Sequence, residues 1–370
     1  MALLHSDVLC PYCLQELRSK DLKMACPLCG TEAIPTKSEI LLKKLPRCKQ
    51  PGCHNTAASY KLCGFCGTKL PADILDYSKY LRFSILGITG AGKTNFLTTM
   101  LHELRHTPNS PLAIGPMDPE TLAAFQENDR AIYENRQPTA ATPPGMPPRP
   151  QQWRLRDRTK ATATSIPSYS LTVFDGAGED CEHVDPVISR YISGSKVLVI
   201  LIDPLALPGV KSTIPQDILN WSTSADHDSD ASASMVDGLA NYIRQSCNIR
   251  PGKLIDRDVA VVFTKIDAVK DSFGYSTVMQ PSPHLGQKAF VKADSDAVDA
   301  EIRDWLESRG ENSFLAAIET NFRRDKIRFF GVSSFGQPPT GSAQLGKVMP
   351  HRVLDPLMWM LSREGIIPVV

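Results

Sequence analysis

Gly87-Ile-Thr-Gly-Ala-Gly-Lys-Thr94 fits the pattern G-x-x-x-x-G-K-[ST]. Loops of this kind cradle phosphate oxygens with backbone amides, place a lysine on the β- and γ-phosphates and set a hydroxyl on Mg²⁺. The flanks have the form such a loop requires. Leu81-Arg-Phe-Ser-Ile-Leu86 alternates and ends in apolar residues, as a strand feeding the loop should. Asn95–His106 reads as a helix stopped by Pro108, and its first amides add their dipole to phosphate binding.

Further strands recur outward from this point. Ser168–Phe174 ends on Asp175, and Val259–Thr264 and Ile327–Val332 follow later. Lys196–Ile202 is a continuous apolar run closed by Asp203, the pattern of a parallel strand buried on both faces. Helical patterns fall between them at Glu120–Asn135, Ser234–Gln245 and Ala297–Ser308. The alternation predicts an α/β domain with a mainly parallel sheet. Gln152-Trp-Arg-Leu-Arg-Asp-Arg158 alternates and is expected as an edge strand with solvated arginines. Pro138–Pro150 holds six prolines in thirteen residues and must be a loop, and Ser222–Ser232 reads as a polar loop tip.

Three more segments stand at strand ends, in chain order. Asp175-Gly-Ala-Gly178 offers a carboxylate to Mg²⁺ through water and a glycine amide to a γ-phosphate. Thr264-Lys-Ile-Asp267 offers a carboxylate that accepts from both donors of guanine, a pair that adenine lacks, beside a Lys265 stem able to lie across the base. Val332-Ser-Ser334 offers an amide near guanine O6. Together they describe a site for GTP or GDP with Mg²⁺. Contacts are expected from Thr89, Gly90, Ala91, Gly92, Lys93, Thr94 and Asn95 in the loop, and from Gly178, Thr264, Lys265, Asp267, Ser333 and Ser334 elsewhere. Thr94 and Asp175 are the magnesium candidates.

The N-terminal region carries different chemistry. Eight of the ten cysteines precede residue 67. Cys10-Pro-Tyr-Cys13 and Cys26-Pro-Leu-Cys29 form one C-x2-C pair of pairs, while Cys48, Cys53, Cys63 and Cys66 form the next. In a reducing setting such pairs bind metal, and two pairs complete a tetrahedral zinc site. Two zinc ions are therefore expected, with the pairs taken in sequence order. So short a segment, poor in core-sized side chains, needs the metal to fold. The division expected is a double zinc-ribbon module over 1–70, a linker or short helix over 71–80 and a nucleotide domain over 81–370.

Charge is nearly balanced, 41 basic against 40 acidic residues for a net +1, which argues against nucleic acid as the main partner and favours a protein effector or regulator. Neither a signal-peptide pattern nor an apolar run of membrane-spanning length is present, so a soluble, cytoplasmic protein that does not engage a membrane is expected. Self-association is left open.

The four segments resemble the G1, G3, G4 and G5 boxes of the translation-factor and Ras-like superclass of P-loop GTPases, over about 81 to 335. The zinc ribbons, Phe329-Phe-Gly-Val-Ser-Ser-Phe-Gly336 and Arg352-Val-Leu-Asp-Pro-Leu-Met-Trp359 further resemble the bacterial double-GTPase 2 family, whose members are associated with multi-gene, anti-phage-like conflict systems. The resemblance implies a Ras-like GTPase fold and a GTP-dependent switch. It also implies catalytic roles for Lys93, for Glu179 and for a switch threonine, with Thr142 preferred over Thr139. The chain departs from the pattern at Thr264, where asparagine is usual, and at Thr89, which occupies a position that is glycine in Ras. Glu179 replaces a water-orienting glutamine and would repel γ-phosphate, which implies slow intrinsic hydrolysis.

Overall fold

The computed structural model describes residues 8–42, 44–87, 90–140, 149–175, 186–214, 231–250, 252–340 and 344–370. Nine strands are defined within them: β1 Leu22–Ala25, β2 Tyr60–Cys63, β3 Lys79–Gly87, β4 Leu112–Pro116, β5 Gln151–Asp157, β6 Ser168–Asp175, β7 Val197–Ile202, β8 Asp258–Phe263 and β9 Ile327–Gly331. β1 and β2 pair antiparallel in the cysteine-rich region, and the other seven form one sheet in the order β4-β5-β6-β3-β7-β8-β9. From β6 to β9 every pairing is parallel, whereas β4–β5 and β5–β6 are antiparallel. The expected mixed α/β fold with a mostly parallel sheet is the one observed.

β7 shows why the sheet is parallel and central. All six of its side chains are buried, Val197, Val199 and Leu201 in a core on one face and Leu198, Ile200 and Ile202 in a core on the other. Apolar residues facing both ways require helices on both faces. Beyond the short α1 (Lys37–Leu41) of the cysteine-rich region, helix α2 (Lys93–His106) and helix Asp355–Arg363 cover the first face, with Phe96, Leu97, Met100, Leu357 and Leu361. Helices Ala231–Ser246, Lys292–Ser308 and Asn312–Asn321 cover the second, with Val236, Ile243, Ile302 and Phe314. Helix α3 (Pro119–Tyr133) begins as its sequence dictates, with Pro119 in the first turn and the Asp118 side chain accepting from the Thr121 amide at 2.7 Å.

The sheet corrects one expectation. Gln152–Arg158 does not lie at an edge, because β4 pairs outside it. Leu112-Ala-Ile-Gly-Pro is short and carries a glycine and a proline, so it reads as loop. Such residues are tolerated where strand ladders end. Arg154 does not face solvent alone either, since it pairs with Asp73 and donates to Tyr77 Oη at 2.9 Å.

Residues 71–78 hold no helix, and Tyr80 belongs to β3. Ile74, Tyr77 and Tyr80 are buried in a small core with Val8, Cys10, Leu17, Cys63 and Leu70. The cysteine-rich module is thereby packed onto the start of the sheet. Among the described residues no helix is long and apolar enough to cross a membrane.

Candidate functional site

The phosphate loop leaves β3 at Gly87, which lies so close to β7 that a Cβ there would come within 2.5 Å of the Leu201 carbonyl. Gly92 starts α2 in the left-handed region at φ +80°, a conformation that disfavours any side chain. Lys93 then reaches back across the loop, donating from Nζ to the Gly87 carbonyl at 2.9 Å. Thr94 donates its hydroxyl to Asp175 Oδ2 at 2.9 Å, joining the two magnesium candidates at the ends of neighbouring structures. Burial pushes the Asp175 carboxyl up, and the Lys93 charge and the Thr94 hydrogen bond oppose it. A hydroxyl and a carboxylate held together beside a lysine form a donor set suited to a phosphate-bound Mg²⁺.

The residues expected to recognise a base share a pocket with the loop. Gly90, Gly92, Asn95, Thr264, Lys265, Asp267, Ser333 and Ser334 line one pocket. Thr264, buried at the end of β8, donates its hydroxyl to Ala91 O at 2.9 Å and lies 3.2 Å from Ile202 O, so it ties the phosphate loop to two strands. Lys265 takes a left-handed backbone, φ +51°, and its ammonium is anchored by the fully buried Asp203 at 2.5 Å. Lys265 lines the pocket. Burial pushes the Asp267 carboxyl up, opposed first by a hydrogen bond with Ser333. Ser333 Oγ in turn accepts from the Gly336 amide at 2.7 Å, fixing the turn that carries Ser334.

Other expected site residues differ in status. Asn95 Oδ1 accepts from the Thr139 amide at 2.9 Å, which holds that threonine against the start of α2. Thr89, Thr142, Gly178 and Glu179 lie outside the described residues. Asp203 was not singled out from sequence as a site residue, although an acid closing a wholly apolar strand is a visible signal.

The cysteines form two tetrads, and their pairing corrects the sequential one. Cys10, Cys13, Cys63 and Cys66 meet at one site, and Cys26, Cys29, Cys48 and Cys53 at the other. The β1–β2 ladder is the reason. It sets Leu22 opposite Cys63 and Ala25 opposite Tyr60, so Cys26 and Cys63 fall at opposite ends of the strand pair. The outer pairs then close on each other and the inner pairs do likewise. Sulfur separations of 3.8 Å for Cys10–Cys66, 3.7 Å for Cys13–Cys63, 3.8 Å for Cys26–Cys53 and 3.5 Å for Cys29–Cys48 match a zinc tetrahedron. With Zn–S near 2.3 Å, its edges are about 3.8 Å. Knuckle amides support the sulfurs, Leu28 N on Cys26 and Phe65 N on Cys63, each at 3.4 Å. Both tetrads therefore fit zinc.

A third group, His284, Asp294 and Asp355, also brings ligand atoms together. Arg352 pairs with both carboxylates, and His284 Nδ1 accepts from the Val291 amide at 3.1 Å, which leaves the proton on Nε2. This is an ion cluster rather than a metal centre. It borders a cavity of about 470 Å³ behind Asp267 and Ser333, larger than the pocket on which the motifs converge.

No family model matches the chain, and no curated protein matches it. Solved structures do. The Ski7 GTPase-like domain of S. cerevisiae bound to GTP aligns with 79% of this chain and 51% of its own at 11% identity and TM-score 0.36. Its form bound to GDP and inorganic phosphate aligns over the same shares at 12% identity and TM-score 0.36. The Arl6 BBS3 small GTPase of Trypanosoma brucei, with a bound nucleotide analogue, aligns with 77% of this chain and 98% of its own at 10% identity and TM-score 0.32. The chain spans about half the length of the Ski7 structures it matches. At this level of likeness the assignment of the site rests on its residues.

Proposed function

We propose that the chain is a Mg²⁺-dependent, guanine-nucleotide-binding switch and a slow GTPase that reports its nucleotide state to a protein partner. The observation that carries this reading is the convergence of the phosphate loop, Asp267 and Ser333–Ser334 on one pocket, with Thr94 and Asp175 joined beside it. Lys93 would neutralise β- and γ-phosphate charge, Thr94 and Asp175 would hold Mg²⁺, and Asp267 would select guanine. Mg²⁺ would supply charge neutralisation between the phosphates. Glu179 would orient water but repel the γ-phosphate, which is the basis for slow turnover. A scaffold that binds nucleotide without hydrolysing it is the rival within this reading.

The zinc module would be the docking element. Leu28, Ile34, Leu41, Leu42 and Phe65 are large apolar side chains that it leaves exposed, which favours a protein partner over nucleic acid. In line with the resemblance to double-GTPase 2 proteins, the setting proposed is a bacterial multi-gene conflict system. Single-turnover hydrolysis, followed with and without a partner captured on the GTP-analogue form, tests the switch. Partner capture that ignores nucleotide, or no turnover under any condition, would reduce the chain to a scaffold.

A further inference from the structure

The first zinc centre is built into the nucleotide domain. Its knuckle, Cys10-Pro11-Tyr12-Cys13, presents two backbone carbonyls to a single side chain, and Tyr191 Oη lies 3.0 Å from Pro11 O and 2.8 Å from Tyr12 O. Tyr191 is buried on helix α4 (Pro186–Gly194), and its ring stacks on Phe174 with centroids 4.6 Å apart. Phe174 immediately precedes Asp175, the carboxylate that Thr94 engages. The far end of α4 is fixed to β3 as well, through Arg82 Nε on the Gly194 carbonyl at 3.0 Å.

A second arm leaves the same knuckle. The Arg149 guanidinium lies over the Tyr12 ring at 4.7 Å and donates to its hydroxyl at 3.0 Å. Arg149 also pairs with Glu120 at 3.5 Å, in the first turn of α3. Helix α3 is in turn held to α2, the helix that begins at Lys93, by His102 Nδ1 and Asp129 Oδ1 at 2.6 Å. Among the described residues the second cysteine tetrad has no comparable path. Its neighbours in hydrogen bonding, Leu28, Thr31, Gln50 and Asn55, all belong to the module itself.

We propose that zinc held by Cys10, Cys13, Cys63 and Cys66 is thermodynamically linked to nucleotide at the phosphate loop, with Tyr191 and Arg149 as positioning residues. The proposal rests on the reading of the site as guanine-nucleotide-binding. Nucleotide and Mg²⁺ fix Asp175 and hence the Phe174–Tyr191 stack, and Tyr191 fixes the knuckle that aims two of the four sulfurs. Linkage is reciprocal, so zinc at this centre tightens nucleotide and nucleotide tightens this zinc. The second zinc is outside the coupling.

Zinc transfer from the full chain to a chromogenic chelator, with and without a non-hydrolysable GTP analogue, tests this. One of the two ions is expected to leave about fivefold or more slowly when nucleotide is bound, the low end of ordinary coupling, while the other keeps its rate. Tyr191→Phe keeps the ring stack but removes the hydroxyl, and should abolish most of that difference. Arg149→Gln, on a partly exposed side chain, should reduce it independently. Equal slowing of both ions, no slowing, or full slowing in both variants overturns the linkage. Fluorescent GTP binding measured on the same samples separates the two ideas. If it is retained without any zinc effect, only the linkage falls; if it is absent, the nucleotide reading falls as well.

Discussion

Thr264 donates its hydroxyl to the Ala91 carbonyl at 2.9 Å, joining the Thr264–Asp267 segment to the glycine-rich loop between β3 and α2. Both residues are buried, so the carbonyl has no water to replace a lost partner. Thr264→Val keeps the shape and removes the donor. It should cost roughly 1–3 kcal/mol of stability, the usual penalty for an orphaned buried acceptor. Nucleotide affinity should fall with it, because the loop is no longer held for phosphate. Unchanged melting temperature and affinity would show that the contact is incidental.

The nested cysteine pairing predicts how zinc is lost. Metal analysis should find two zinc ions per chain. Cys13→Ser and Cys63→Ser should each weaken the same ion, and the double variant should still retain the other. Cys13→Ser combined with Cys26→Ser should instead compromise both. The reverse pattern, with Cys13 and Cys26 acting on one ion, would restore the sequential pairing.

The His284–Arg352–Asp355 cluster predicts opposed pH slopes. Burial pushes His284 down to about 4, with the Arg352 charge adding to it. Burial also pushes Asp355 up to about 6, against the pull of Arg352. The histidine contributes stability above pH 6.5 that is lost as pH falls towards 4. The aspartate contributes stability below about pH 4 that is lost as pH rises through 6. Each is worth on the order of 3 kcal/mol, so in the native chain they largely cancel. In denaturant titrations Asp355→Asn should lose stability from pH 6.5 to 4, and His284→Gln should gain it. Slopes of the same sign in both variants would contradict the assignment.

Much of this was legible in the sequence, and what was not has physical causes. The strands that lead into the four motif segments were readable because each is an apolar run closed by a polar or glycine residue. β7 was readable because six consecutive apolar residues leave few alternatives. β4 was hidden, since Gly115 and Pro116 are turn residues and only their place beside β5 makes them sheet. The cysteine spacing revealed two candidate metal tetrads but not their pairing, which depends on the register of β1 with β2. Asp203, Tyr191 and Arg149 were missed for a common reason. Their partners lie 62 to 179 residues away, at Lys265, Tyr12 and, for Arg149, Tyr12 again, and no local pattern records them.

Asp175→Asn should lose the magnesium dependence of nucleotide binding with little effect on base choice. The amide still meets Thr94 but carries no charge for the ion. The check is affinity measured with Mg²⁺ and with a chelator. A variant that keeps the full magnesium effect would remove Asp175 from the metal site.

Equilibrium binding of fluorescent GTP, ATP and xanthosine triphosphate to the full chain, with Asp267→Asn beside it, addresses the nucleotide reading itself. The native chain should bind GTP in a Mg²⁺-dependent manner and reject ATP by a factor on the order of 10⁴, because the buried carboxylate would be left unpaired. Asp267→Asn should lose GTP affinity and gain xanthosine triphosphate, whose ring carbonyl needs a donor. Equal affinity for ATP and GTP, or unchanged GTP affinity in the variant, would contradict the account.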